Sequence, residues 1–449
     1  MREPEDRASR AKKPAEEALR LHPMYRGKVQ VMPKCPIRTF DDFALWYTPG
    51  VAAPCRDIAS HPEAVYRHTN KGNLVAVVSD GSRVLGLGNI GPEAGLPVME
   101  GKALLFKYLG GVDAVPICLR AHDADALIAA VEQLQPSFGG INLEDIESPK
   151  CFKVLQALRE RCEIPVWHDD QQGTATVALA ALINATRLVG KDIGTVRIAL
   201  VGVGAANVAT YRLFVAAGVD PARVVCCDSV GTLHTGRHDI EAALPDHGAK
   251  WQICRETNPD RIEGGIAGAM RGADVCIAFS HPGPGVIEPA WVAGMAADAV
   301  VIAGANPVPE IWPWAAQQAG ARIVATGRSD FPNQVNNSLG FPGIFRGVLD
   351  VRARTITDGM AVAAATALAD RAVDCGLRED AILPRMDDRE AFVCEAVATG
   401  MAAQQAGVAR LKRSREQLRE SAETAIAGAQ QATGLLQREG LIGPAETAG

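Results

Sequence analysis

No run of apolar residues in the chain reaches the ~18 needed to cross a bilayer as a helix, so no membrane partner is expected. An excess of positive charge is missing too. Lys and Arg total 46 against 52 Asp and Glu, for a net charge of -6, which removes the basic footprint of a nucleic-acid-binding protein. No Cys-x-x-Cys pair occurs among the 11 cysteines, and Cys226 and Cys227 fall inside an apolar run. An odd, unpatterned set suits free thiols in a reducing cytosol better than a disulfide frame or a zinc site. The first residues are charged (Arg2, Glu3, Glu5, Asp6, Arg7) with no apolar segment behind them, so a secretory signal is not expected and a cytoplasmic protein is. No internal repeat is found. What is present is ordinary for a globular protein: 47% hydrophobic and 22% charged residues. A length of 449 residues predicts two or three domains.

From Leu74 onward, short apolar runs alternate with helical stretches, the pattern of an α/β fold. Asn73–Ser79 reads as a strand, with Asp80-Gly81 as a hairpin turn into Arg83–Leu87. Pro97–Tyr108 reads as a helix, Ala114–Leu119 as a strand and Ala124–Leu134 as a helix. Gly139–Leu143 is a strand with an acidic end, Pro149–Arg161 a helix, and Ile164–Trp167 a short strand stopping at His168-Asp169-Asp170. A second alternation follows. Gly173–Val189 is helical and Thr195–Val201 a strand ending in glycines. Ala205–Ala217 is helical, and strands are expected at Arg223–Cys227, Asp274–Ala278, Ala299–Ala303 and Arg322–Ala325. Such alternation predicts mostly parallel sheets covered on both faces. The expected division is an N-terminal α/β domain over 1–164, a Rossmann-like doubly wound domain over 165–400 and a helical tail over 401–449. Within the tail, Val408–Arg438 reads as a solvated or packing helix, with a dimerisation arm as the alternative.

Two glycine patterns compete as a nucleotide loop. Gly86-Leu87-Gly88-Asn89-Ile90-Gly91 matches G-x-G-x-x-G in full. Pro92, Gly95 and Pro97 follow it, so no helix is expected to open there and offer its N-terminus to a pyrophosphate. Gly202-Val203-Gly204-Ala205-Ala206-Asn207 follows a strand and opens a helix, the context that the fingerprint requires. Gly202 permits the tight turn and Gly204 the close approach of a pyrophosphate, while Asn207 departs from the small third residue. Asp228 ends the next strand about 20 residues on, where an acid binds the ribose 2′-hydroxyl of NAD.

Four acids end two strands: Glu144 and Asp145 on one, Asp169 and Asp170 on the other. Carboxylates at the carboxyl ends of parallel strands can converge on one crevice, and three oxygen ligands suit Mg²⁺ or Mn²⁺. Helix capping is an equal reading of the spacing alone. His168 does not indicate zinc, since no second His or Cys has ligand spacing to it.

Longer motifs are specific. Trp46-Tyr47-Thr48-Pro49-Gly50-Val51 resembles the Tyr-Ser/Thr-Pro motif of malic enzymes. The Gly86–Gly91 loop with Pro97-Val98-Met99-Glu100-Gly101-Lys102, the stretch from Gly139 to Ile146, and His168-Asp169-Asp170-Gln171-Gln172-Gly173-Thr174 resemble that family's glycine, lysine and metal motifs. Ala305-Asn306-Pro307 and the stretch from Ser329 to Asn337 continue in the same order, so the resemblance spans about residues 20–400. It implies Glu144, Asp145 and Asp170 as metal ligands, Lys102 as general base, Asp169 as its partner and Tyr47 as general acid. Arg83, Asn306 and Asn336 are implied to hold malate or the nicotinamide end, and Gly202, Gly204, Ala205, Ala206, Asn207 and Asp228 the dinucleotide. Gln172 stands where bacterial members commonly have His. The implied activity is oxidative decarboxylation of (S)-malate to pyruvate with NAD or NADP and Mg²⁺ or Mn²⁺. The implied form is a homodimer of the short bacterial type, without a phosphotransacetylase-like domain. Asp228 favours NAD, whereas Ser229 and Arg237 could rearrange to admit NADP. A malolactic-type enzyme, another 2-hydroxy acid substrate and an idle nucleotide-binding regulator are the competing readings.

Overall fold

Val75, Ala76, Val77 and Val78 are fully buried, so their strand must be covered on both faces. The computed structural model, which describes residues 13–244 and 247–443, shows how. Strands β1 (Leu74–Ser79), β2 (Asp113–Cys118), β3 (Gly140–Leu143) and β4 (Val166–His168) form a parallel sheet in the order β2-β1-β3-β4. Strands β5 (Ile198–Val201), β6 (Val224–Cys227), β7 (Val275–Ala278), β8 (Val300–Ala303) and β9 (Ile323–Thr326) form a second parallel sheet, ordered β6-β5-β7-β8-β9. Both orders reverse direction beside their first strand. A crevice opens at the carboxyl ends of such strands, between β1 and β3 in one sheet and between β5 and β7 in the other.

The crossovers are α1 (Pro92–Gly110), α2 (Ala124–Leu134) and α3 (Lys150–Arg161) in the first sheet, and α5 (Ala205–Ala216) between β5 and β6. Helix α4 (Thr174–Val189) joins the sheets and buries 11 of its residues. Four later helices complete the core: α6 (Phe341–Asp350), α7 (Asp358–Asp374), α8 (Arg389–Gln405) and α9 (Arg415–Arg438). Every residue of α6 is buried. Glycines allow that crowding. A Cβ on Gly110 of α1 would lie 2.7 Å from the Pro342 carbonyl oxygen, and one on Gly347 of α6 would lie 2.3 Å from that of Ala396. One core cluster therefore runs from Val75 and Phe106 through Leu200 to Phe345 and Ile426. Among the described residues, no helix is long and apolar enough to cross a membrane.

Three expectations are corrected. No hairpin follows β1, because β2 and β3 already pair with both of its edges. Residues 83–87 instead form a loop that folds back so that Ile90 and Gly91 both donate to the Gly81 carbonyl. Helix α1 opens at Pro92, not Pro97, so a helix does follow the first glycine pattern. Proline at the first helical position loses no hydrogen bond, because that N–H has no intrahelical partner. The stretch from Val408 is not one helix either. Residues 406–414 separate α8 from α9, which starts at a capping box of Ser414 and Gln417. Leu418, Ala422, Ile426 and Ala429 of α9 are buried at helical spacing against the chain's own core, the packing reading of this segment.

The α6–α8 crossing leaves no room for a methyl group. Gly347→Ala is expected to cost about 1–3 kcal/mol of stability, seen as a lower midpoint of thermal unfolding. An unchanged midpoint would contradict this packing.

Candidate active site

Glu144 and Asp145 follow β3, and Asp169 and Asp170 follow β4, so adjacent parallel strands bring four carboxylates to one end of the first sheet. Asp145 has a left-handed backbone (φ 54°) that turns the chain sharply after the strand. Its N–H donates to Asp170 Oδ2 at 2.8 Å, and its carbonyl accepts from the Arg83 N–H at 3.0 Å. One oxygen each from Glu144, Asp145 and Asp170 lies within 4.8 Å of the others. Asn142 Nδ2 orients Glu144 at 3.0 Å, whereas the buried Oδ2 of Asp145 has no partner among the described residues. Burial, then the Asp170 carboxylate, pushes Asp145 up to about 8, and burial likewise holds Glu144 well above its ordinary range despite Lys102. Three converging hard oxygens with an unsatisfied lone pair fit Mg²⁺ or Mn²⁺.

Lys102 projects from α1 into the same cluster. Its ammonium lies 2.6 Å from Asp169 Oδ2 and 3.0 Å from Glu144 Oε1, 3.5 Å from Asn337 Oδ1, and 4.5 Å from the Phe341 ring centre. Burial would lower its pKa, but the Asp169 and Glu144 carboxylates outweigh that and hold the ammonium form. The indole N–H of Trp167 fixes the other oxygen of Asp169 at 3.1 Å. Asp169–Gly173 forms a π-helical turn, and a Cβ on Gly173 would fall 1.9 Å from Asp169 Oδ1. Only glycine fits there. Neither ring nitrogen of the buried His168 has a hydrogen-bond partner among the described residues, and burial lowers its pKa. It is a neutral packed group.

Sequence reading had not singled out Asn337, Phe341, Trp167 and Gly173. Asn337 and Gly173 lay within the motifs quoted above, whereas nothing in the sequence marked the Phe341 ring as the surface beneath Lys102. Asn336, the neighbour that was singled out, accepts the Ser338 N–H through Oδ1 and donates to the Gly327 carbonyl. Arg83 is exposed beside Asp145, its guanidinium donating to the Leu85 carbonyl. The glycine loop reaches the second sheet at Asn306: a Cβ on Gly86 would lie 3.1 Å from the Asn306 carbonyl oxygen. Tyr47 does not join the cluster. It is 71% exposed, and its hydroxyl has no partner among the described residues.

The second glycine pattern lies between β5 and α5, beside the reversal of the second sheet. Gly202 (φ 89°) turns within 2.9 Å of the Phe279 carbonyl oxygen, counting from an added Cβ, while a Cβ on Gly204 would enter open space. That opening at a helix N-terminus is what a pyrophosphate would fill. Ala205 and Ala206 form the first turn of the helix, and Asn207 pins the loop by donating to the Val201 and Gly202 carbonyls, both at 2.8 Å. Asp228 follows β6. Its carboxylate accepts Arg237 at 3.0 and 3.1 Å and the N–H groups of Val230 and Gly231.

Comparison with known proteins bears on this geometry. The family model "Malic enzyme, N-terminal domain" matches residues 26–124 and 120–159, and "Malic enzyme, NAD binding domain" matches residues 320–406. The chain is 46% identical over 405 residues to the bifunctional malic/malolactic enzyme of Bacillus subtilis, covering 90% of this chain and 97% of that protein. It is 46% identical over 385 residues to the NAD-dependent malic enzyme of Geobacillus stearothermophilus, covering 86% and 78% of the two. Further relatives bearing NADP-dependent names lie at 43% to 47% identity. The crystal structure of Entamoeba histolytica malic enzyme superposes with a TM-score of 0.94 at 49% identity, over 96% of this chain and 90% of that one.

Gly173→Ala tests the packing beneath Lys102. The added methyl must displace Asp169 and so the ammonium, and a misplacement near 1 Å can cost about 10²-fold in turnover. Catalytic rates of the folded variant check this; wild-type turnover would contradict it.

Proposed function

The chain belongs to the malic enzyme family, and on that premise we propose that it oxidatively decarboxylates (S)-malate to pyruvate and CO₂ while reducing NAD or NADP. The observation that carries the reading is the buried ammonium of Lys102, 3.0 Å from one carboxylate of the three-acid set and 2.6 Å from Asp169. A divalent ion on Glu144, Asp145 and Asp170 would supply Lewis-acid polarisation of the substrate oxygens, and a dinucleotide on the Gly202 loop the hydride acceptor.

The chain's own groups do the rest. Lys102 stays an ammonium while Asp169 and Glu144 both face it. Once the charge of Glu144 is engaged elsewhere, desolvation favours the neutral amine, which takes the proton of the malate 2-hydroxyl as C2 loses its hydride. Asp169, held by Trp167, keeps the amine aimed. Arg83, Asn306 and Asn336 hold the carboxylates and the nicotinamide end. After the C3–C4 bond breaks and CO₂ leaves, Tyr47 donates the proton that C3 requires. Asp228 binds the adenine-side ribose. The first sheet, which includes β4 to His168, and the second serve as the substrate and nucleotide domains in this reading, so the division falls after residue 168 and not at 165. A malolactic outcome, in which the hydride returns to pyruvate to make lactate, is the second reading, favoured by the bifunctional name of the B. subtilis relative.

Tyr47 reaches this chemistry through a second copy of the chain. It sits in a segment that exposes Val31 by 96%, Phe40 by 91% and Leu45 by 66%, an apolar surface of the kind that marks an interface. A cytoplasmic homodimer that covers this segment would carry Tyr47 to its partner's Lys102.

Three results are expected. Lys102→Ala abolishes malate oxidation while Mn²⁺ still binds; full activity would remove Lys102 from the reaction. Mn²⁺ binding tightens as pH rises toward 8 and levels off above it, because Asp145, with its pKa at about 8, must shed a proton to become a ligand. Calorimetry between pH 6 and 9 checks this, and a flat profile would contradict it. Lastly, mixing and reassembling inactive Tyr47→Phe and Lys102→Ala chains restores roughly a quarter of wild-type activity, because half the dimers are mixed and each holds one intact site. No recovery would place Tyr47 in its own chain's site.

A further inference from the structure

On the opposite side of the first sheet from the carboxylates, at the amino ends of its strands, a cavity of about 830 Å³ opens between α9, the C-terminus of α1 and α6. A second cavity of about 260 Å³ adjoins it, sharing Asn73, Arg346, Leu411 and Arg413. Together they gather five cations, Lys34, Arg346, Arg352, Lys412 and Arg413, against two carboxylates, Asp350 and Glu420. In a chain of net charge -6 this is a local inversion of sign.

The cations differ in how they are held. Arg346 is 5% exposed, with one nitrogen donating to Asn73 Oδ1 at 2.6 Å and another to Asp350 Oδ1 at 2.7 Å, while its Nε has no partner among the described residues. Arg352 rests on the Tyr66 ring and lies 3.8 Å from Glu63, and Lys34 donates to Asn70 and lies 4.0 Å from Asp113, so these two already have counter-charges. Lys412 and Arg413 pair with no carboxylate among the described residues, although Gln404 fixes the Arg413 backbone from both sides. Ser421 Oγ also donates to Asp350 Oδ1, so that carboxylate is already shared. The buried Arg346 Nε donor lacks an acceptor although the guanidinium pairs with Asp350, and a ligand anion is the partner that would satisfy it.

We propose that this cavity binds a phosphate-bearing anion at a site separate from the catalytic cluster. Two free cations beside a buried guanidinium match a dianion better than a single carboxylate, and guanidinium forks suit phosphate oxygens. The Thr424 hydroxyl on the lining can add a donor to the shell. The cavity also touches the far ends of two helices that meet at the reaction centre. Gly111 caps α1, which carries Lys102, and Arg346 lies on α6, whose first residue supplies the ring beneath Lys102. Occupancy of the cavity therefore bears on how those helices sit.

Calorimetric titration of the full chain with pyrophosphate tests it, with reduced nucleotide present to fill the Gly202 loop. Wild type is expected to show one saturable site, weakened at least tenfold in the Lys412→Ala/Arg413→Ala double variant with the unfolding midpoint unchanged. Succinate at equal ionic strength is expected to give no saturable heat. Absence of binding to wild type, or equal binding to the double variant, would overturn the site. Displacement of pyrophosphate by succinate would overturn its assignment to phosphate.

Discussion

An ammonium group with 8% of its side chain exposed cannot stand alone in a protein interior, and the architecture around Lys102 answers that constraint. Helix α1 delivers the charge, the end of β3 delivers Glu144 and the end of β4 delivers Asp169. The first turn of α6 adds the Phe341 ring, and the segment before it the Asn337 amide. Removing either sign would leave the other buried and uncompensated, a loss of about 3–5 kcal/mol. The cluster holds more acid than base, however. Glu144, Asp145, Asp169 and Asp170 face one lysine, and that surplus gives the site its capacity for a divalent cation.

Two sheets with the same topological reversal put the two halves of the chemistry side by side. The carboxylates lie at strand ends next to the reversal of the first sheet, and the Gly202 loop lies at that of the second. The glycine loop from 86 to 91 bridges them where Gly86 packs on Asn306. The loop's end crowds Gly81, where a Cβ would fall 2.2 Å from the Gly91 carbonyl oxygen, whereas a Cβ on Gly88 or Gly91 would meet open space. Both glycine patterns lead into a helix with open space at its N-cap glycine; the imperfect match at Gly202 differs in following its strand directly, the context the fingerprint requires.

Much of this was legible in residue order. Strands with unbroken apolar runs, such as Val75–Val78 and Val300–Ala303, declared themselves because burial on both faces leaves no alternation to misread. The acids were legible because strand ends in parallel sheets point to one side. The hairpin after β1 failed because turn chemistry at Asp80-Gly81 is local, whereas the occupancy of both strand edges is a tertiary fact. Helix α6 went unread because Pro342 and the glycines at 343 and 347 resemble breaks. Tyr47 was legible as a motif but not as a position, since its side chain is 71% exposed outside the Lys102 cluster.

The account rests on a cation-dependent site that ends in pyruvate. The most direct measurement follows malate with Mn²⁺ and NAD or NADP, quantifying reduced nucleotide and pyruvate together before and after chelation. Equal amounts of both products, lost with EDTA and restored by Mn²⁺, are predicted. Lactate without net reduction of nucleotide, or turnover indifferent to the chelator, would contradict it.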